Sequence, residues 1–252
     1  MKLAECGYGC VVMEAVRGLE RAVVVVPAYN EALLLEACLR SVLTAAVCVP
    51  VPTQIVVVLD ACDDGTAAVA QHFGADVHAI SIDARNVGTA RAVGFACARS
   101  IGNVDDSRTW YATTDADSRV GPDWLLRQIA ANADVVLGVV HVPEWRHHSP
   151  VVALRHVRGY RSVGPHHDHV HGANLGFRAN AYWRVGGFAA LETGDDAELV
   201  DRFERNGYII SRDPSLSVAT SDRQIARAPA GFAHHLRRLS RSGLLSAVGH
   251  QP

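Results

Sequence analysis

Residues 23–31 read VVVVPAYNE. Four consecutive valines closed by a proline lack the alternation of a half-exposed strand and are too short for a helix. Residues 22–26 therefore read as a strand buried on both faces, as in a parallel sheet. Asn30 is expected to cap a helix over 31–45, where Leu35, Leu39, Val42 and Ala46 share one face. The same unit repeats outward. Residues 54–59, 75–82, 110–114 and 135–142 read as further strands. Helices are expected after Asp63-Asp64-Gly65, over 88–100 with Ala90, Val93 and Cys97 inward, and from Pro122 to 131. Such alternation predicts an α/β fold whose mainly parallel central sheet is flanked by helices. Further on, Ser149-Pro150 opens a helix to about 163, and 169–178 reads as extended. A short helix over 179–185 stops at Gly186-Gly187. Another opens at Asp195 or Asp196 and closes at Asn206-Gly207. A last helix is expected around 231–245.

The chain has 252 residues, 49% apolar and 20% charged, with a formal charge of -2. That suffices for a sizeable core, and the lack of a basic stripe argues against nucleic acid as a partner. The C-terminal arginines are a local cluster, better suited to phosphate. The cysteines at 6, 10, 38, 48, 62 and 97 form no C-x-x-C pair, which points to a reducing compartment. Glu5, Glu14, Arg17 and Glu20 interrupt the first apolar runs, so no signal peptide is expected. No stretch approaches the ~20 apolar residues of a transmembrane segment. The expectation is a cytoplasmic protein, with a peripheral place at the inner membrane face as the variant. Residues 1–20 read as an N-terminal arm, and 221–252 as an arginine-rich loop and helix.

In an open α/β sheet, ligands bind beyond the carboxyl ends of the strands. Three strands end there in polar turns: Pro27-Ala28-Tyr29-Asn30-Glu31, Asp60-Ala61-Cys62-Asp63-Asp64-Gly65-Thr66, and Asp115-Ala116-Asp117. The second turn can accept hydrogen bonds from a base or ribose. In the third, Asp115 and Asp117 can face one Mg²⁺ or Mn²⁺, provided substrate phosphates complete the octahedron. A plain strand, turn and capped helix is the alternative for the first, and a solvated acidic turn for the other two. Arg223 and Arg227 follow the last strand, where guanidinium groups suit a diphosphate; a solvated basic approach to the last helix is equally compatible. His166, His167, His169 and His171 surround Asp168. On a strand, the residues at 167, 169 and 171 share one face, a spacing that suits either Zn²⁺ or a polar acceptor rim with His171 nearest the reaction.

These pieces, in this order, resemble the family 2 glycosyltransferases of the GT-A fold. The resemblance covers about 21–220 and rests on VVVVPAYNE at 23–31, VVVLDACDDGT at 56–66, NVGTARAVG at 86–94, TTDADSRVGPDWL at 113–125, HGANLGFR at 171–178 and GDDAELVDR at 194–202. It implies a GT-A-like nucleotide-diphospho-sugar transferase fold with a nucleotide-binding half at 21–120 and an acceptor half at 121–220. It also implies roles. Pro27, Tyr29 and Glu31 border the nucleotide, Asp60 takes the base, and Asn86 and Arg91 lie along the donor. Asp115 and Asp117 form the metal-binding D-x-D motif, with Asp117 the direct ligand. Gly172, Ala173 and Asn174 face the acceptor, and Asp195-Asp196 matches an acidic pair whose second member is the base of inverting members. His234 or His235 matches a place where members often carry a third metal ligand. Leu59 stands where many members carry a first aspartate, and the Q-x-x-R-W of processive synthases is absent.

The function implied is an inverting, hexosyltransferase-like transfer from a nucleotide-diphosphate sugar to an acceptor hydroxyl on a small molecule, glycan or lipid-linked molecule. A sugar-1-phosphate nucleotidyltransferase would need a glycine-rich, basic loop where residues 27–31 stand. A non-catalytic nucleotide- or metal-binding protein gives no account of Asp115, Asp117 and Asp196.

Overall fold

The computed structural model describes residues 18–101, 104–160, 167–224 and 231–241. Most of the expected N-terminal arm and the end of the last helix fall outside them. The strands are β1 (Arg21–Ala28), β2 (Thr53–Asp60), β3 (His78–Ile82), β4 (Thr109–Thr113), β5 (Val135–His141), β6 (Leu175–Arg178) and β7 (Ile210–Ala219). They form one sheet in the order β3-β2-β1-β4-β6-β5-β7. The strand β1 pairs in parallel with β2 and β4, β2 with β3, and β5 with β7. Among the described strands only β6 is antiparallel to its neighbours, so the sheet is mainly parallel, as expected.

The helices are α1 (Leu35–Val47), α2 (Thr66–His72), α3 (Val87–Ile101), α4 (Trp124–Ala130), α5 (Pro150–Tyr160), α6 (Ala179–Arg184), α7 (Asp195–Arg205) and α8 (Phe232–Arg241). The valines of β1 are fully buried, and full burial of each contributes about 1.5–3 kcal/mol. Strand alternation divides them between two layers. Val24 and Val26 share a core with Leu35, Leu39 and Val42 of α1 and with Trp124 and Leu125 of α4. Val23 and Val25 share the other with Phe95 of α3, Tyr182 of α6 and Phe203 of α7. The helix α3 lies so close to the sheet that a methyl at Gly94 would stand 2.5 Å from Val25 Cγ1.

Several local expectations change. The helix α1 begins at Leu35, because Asn30 adopts a left-handed φ of 53° and turns its side chain to Asp63 instead of capping. Asn30 Nδ2 donates to Asp63 Oδ1 (2.6 Å), and Asn30 Oδ1 accepts from the Asp63 N–H (3.0 Å). The buried face of α3 is Ala90, Arg91, Gly94, Phe95 and Ala98, with Val93 and Cys97 only half-buried. The stack of Phe95 on Tyr111, 4.6 Å between centroids, sets that rotation. Pro122 lies in a turn ahead of α4, and the extended 169–178 segment is broken by a 3₁₀ turn at Gly172–Asn174. Gly186, Gly187 and Gly207 take the positive φ expected of helix stops.

Candidate active site at the carboxyl edge of the sheet

A cavity of 680 Å³ opens beyond the carboxyl ends of β1, β2 and β4. Residues far apart in the chain meet on its wall: Pro27, Tyr29, Glu31, Asp60, Asn86, Arg91, Asp115, Asp117, His171, Gly172, Ala173, Asp195, Asp196 and Arg223. Asn174 does not line it. That side chain is fully buried beneath, donating to the carbonyls of Val139 and Leu216 and accepting from Trp124 Nε1. Arg227 and His166 lie outside the described residues.

The expected donor side is built by Asp60, which is itself buried. Its carboxylate accepts the backbone N–H groups of Ala84, Arg85 and Asn86 at 2.7–2.8 Å. Three residues just past β1, β2 and β3, namely Asn30, Ala61 and Arg85, adopt left-handed φ without being glycine. Each such residue costs roughly 1–2 kcal/mol, and the Asp60 bonds hold one of these turns in place. Asn86 caps α3, its Oδ1 accepting from Thr89 N at 2.8 Å. Both side chains thus shape the cavity wall through the backbone.

Arg91 is a buried strut. Its guanidinium donates to Asp195 Oδ2 (2.6 Å) and Asp115 Oδ1 (2.7 Å) and lies over the Phe188 ring. Burial alone would lower its pKa, but Asp195 and Asp115 outweigh that and the net shift is upward, so it stays charged. A methyl on Gly172 would overlap the same guanidinium, which explains a glycine there. Burial pushes the Asp115 carboxyl up, Arg91 pulls it down, and Asp117 raises it again.

Asp117 has a different partner set. Its Oδ2 accepts from Ser221 Oγ (2.8 Å) and pairs with Arg223, whose other terminal nitrogen pairs with Glu31. The clamp is positioned by reciprocal backbone bonds between Arg119 and Ala219, which fasten the acidic turn to the end of β7. Among the described residues no group of three His, Cys, Asp or Glu side chains could hold a metal ion. Two carboxylates already opposed by arginines are not a self-sufficient cage. They are enough for Mg²⁺ or Mn²⁺ only where phosphate oxygens complete the coordination.

Asp195 and Asp196 open α7, and neither caps it, since Gly194 takes the N-cap place at φ 76°. Asp195 is consumed by Arg91. Asp196 faces the cavity, its Oδ2 accepting from Gly172 N (2.6 Å) and its Oδ1 from Ala197 N (2.8 Å). Burial raises its pKa above the ordinary carboxylate value, although Arg91 and the two N–H groups oppose the shift. A raised value strengthens a carboxylate as a base.

The rings of His167, His169 and His171 do share a face, with centroids 6.0 and 5.9 Å apart and interplanar angles of 20° and 19°. His167 is buried away from the cavity, with its ring nitrogens near the carbonyls of His169 and Leu137, and burial lowers its pKa. His169 and His171 line the cavity, His171 edge-on to Phe232. His234 lies on α8; the side chain of His235 is outside the described residues. Sequence reasoning missed Arg155 and Phe232, which also line the cavity. No local motif marks them, because helix packing alone brings α5 and α8 there.

A profile described as Glycosyl transferase family 2 matches residues 23–186. The chain belongs to that family. It is a glycosyltransferase, and its sheet and helices form the GT-A-like fold that the motifs implied. Among solved structures it is similar to S. aureus TarS 1-349 in complex with UDP-GlcNAc, with TM-score 0.60, 15% identity, and coverage of 91% of this chain and 68% of that one. Against a longer S. aureus TarS chain the TM-score is 0.57 at 15% identity, covering 92% of this chain and 44% of that one. A mannosyltransferase, PcManGT from Pyrobaculum calidifontis in complex with GDP-Man and Mn²⁺, gives TM-score 0.57 at 19% identity, covering 97% and 73%. At these identities the likeness is one of fold. A comparison with curated proteins gives no match.

Proposed function

We propose that this glycosyltransferase inverts the anomeric centre, transferring a sugar from a nucleotide diphosphate to an acceptor hydroxyl with Asp196 as base. Solved relatives in complex with UDP-GlcNAc and GDP-Man support that donor class. The observation that carries the reading is the meeting in one cavity of Asp117 clamped by Arg223 with the cavity-facing Asp196. In this reading the half up to residue 120 serves the donor and the half after it the acceptor. Pro27 and Tyr29 border the nucleotide. The turns held by Asp60 and Asn86 form the base end, and Glu31 orients Arg223.

Asp115 and Asp117 would hold Mg²⁺ or Mn²⁺ together with the diphosphate; when bound, such an ion neutralises charge on the leaving group. Arg223 leaves its carboxylate partners for the diphosphate oxygens. Gly172 N–H and Ala197 N–H hold the Asp196 carboxylate in place, and Asp196 takes the acceptor proton as the hydroxyl attacks in line. Ala173, His169 and His171 form the acceptor rim. The absence of a C-x-x-C pair supports a reducing, cytoplasmic setting for this reading.

The test is Asp196→Asn. Turnover should fall by about 10²–10⁴-fold while donor binding persists. Near-normal turnover on the true acceptor would remove Asp196 from the base role.

A further inference from the structure

The helices α5 and α8 pack on each other and form one wall of the cavity, through Arg155 and His156 of the first and Phe232 and Ala233 of the second. The charge of this part of the chain is segregated. Residues 145–167 and 223–252 contain nine of the 24 Lys and Arg and none of the 26 Asp and Glu. The rest of the chain is therefore strongly acidic. On α5, positions 151, 154, 157 and 158 fall within about a third of the helix circumference. Val151, Leu154 and Val157 are 54%, 50% and 48% exposed, with the exposed Arg158 on the same arc. Arg237 and Arg238 are exposed on α8. An apolar hollow of 270 Å³, lined in part by Val142, Trp145 and Val157, adjoins the stripe.

An apolar helix face that carries Arg158, on a helix pair whose own residues 150–160 and 232–241 include no Asp or Glu, matches the headgroup region of an anionic bilayer. Aliphatic side chains enter the acyl boundary there, and guanidinium groups meet lipid phosphates. We propose that the α5–α8 face docks the protein on an anionic membrane surface and sets the cavity mouth beside the lipid. A second copy of the chain fits this face poorly, because pairing two such faces would bring like charges together. The docking rests on surface chemistry and not on the transfer reaction, so a failed transfer assay leaves it standing.

Vesicle co-sedimentation tests it, with phosphatidylcholine alone and with phosphatidylglycerol added. The protein is expected to sediment only with the anionic vesicles and to be released by salt. Arg237→Ala with Arg238→Ala should weaken partitioning about 25-fold, each surface cation contributing about fivefold. Val151→Ser with Leu154→Ser should also weaken it while leaving the melting temperature unchanged. Saturating UDP or GDP should leave binding intact. The proposal is overturned by no binding to anionic vesicles, by equal binding to both vesicle types, by wild-type binding in both double variants, or by nucleotide displacing the vesicles. It is equally overturned if the serine variant instead breaks a dimer in sedimentation analysis.

Discussion

Replacing Arg91 with methionine removes one guanidinium and keeps an unbranched apolar stem. Asp195 loses its 2.6 Å partner, and its side chain is only 3% exposed. Removing one member of a buried pair costs about 3–5 kcal/mol, because the remaining charge stays out of water. Asp115 loses a partner as well, but at 39% side-chain exposure solvent compensates most of that loss. In a chain of this size each kcal/mol shifts Tm by about 2–4 °C, so Arg91→Met is expected to melt about 6–20 °C below the parent. Arg91→Lys should fall between the two, since an ammonium keeps the charge but not the fork that reaches both carboxylates. Scanning calorimetry at neutral pH reads the effect. A drop under about 3 °C, worth less than roughly 0.8–1.5 kcal/mol, would refute the strut and leave Arg91 open to a direct role on the donor.

Asp117→Ala is expected to abolish the divalent-cation dependence of nucleotide-diphosphate binding, and calorimetry showing that dependence unchanged would count against Asp117 as ligand. Arg223→Ala should weaken diphosphate binding more than nucleoside binding, by about 1.5–3 kcal/mol for the lost charge-assisted bonds; equal losses for both would point to a folding effect. The pH profile carries its own sign. Burial raises the Asp196 pKa, so kcat/KM should fall with unit slope as pH drops through a value above the ordinary carboxylate range, and the residual rate of Asp196→Asn should lack that limb. A limb persisting in that variant would assign it to another group.

The sequence by itself determined the fold class and pointed to the sheet edge where the candidate site lies. Valine runs such as 23–26 can be satisfied only between two apolar layers, and the ends of such strands are where polar turns and ligands meet. The motifs at 23–31, 56–66 and 113–125 named their part of the cavity wall because each holds one of those turns, where local spacing has a direct geometric meaning. What a side chain does within the wall was decided elsewhere. Asp60, Arg91 and Asn174 read alike as polar residues near a ligand, yet in the folded chain each is engaged by protein groups distant in sequence, whereas Asn86 is engaged locally as the cap of α3. Their partners are backbone N–H groups 24–26 residues away for Asp60, a carboxylate 104 away for Arg91, and an indole 50 away for Asn174. No local pattern encodes those pairings. Asp195 and Asp196 are adjacent and chemically identical in sequence, but the helical turn sends one into Arg91 and the other into the cavity. The rise in the Asp196 pKa, against the lowering that a helix N-terminus alone would give, is likewise a tertiary effect, because desolvation depends on what surrounds a carboxylate and not on what precedes it.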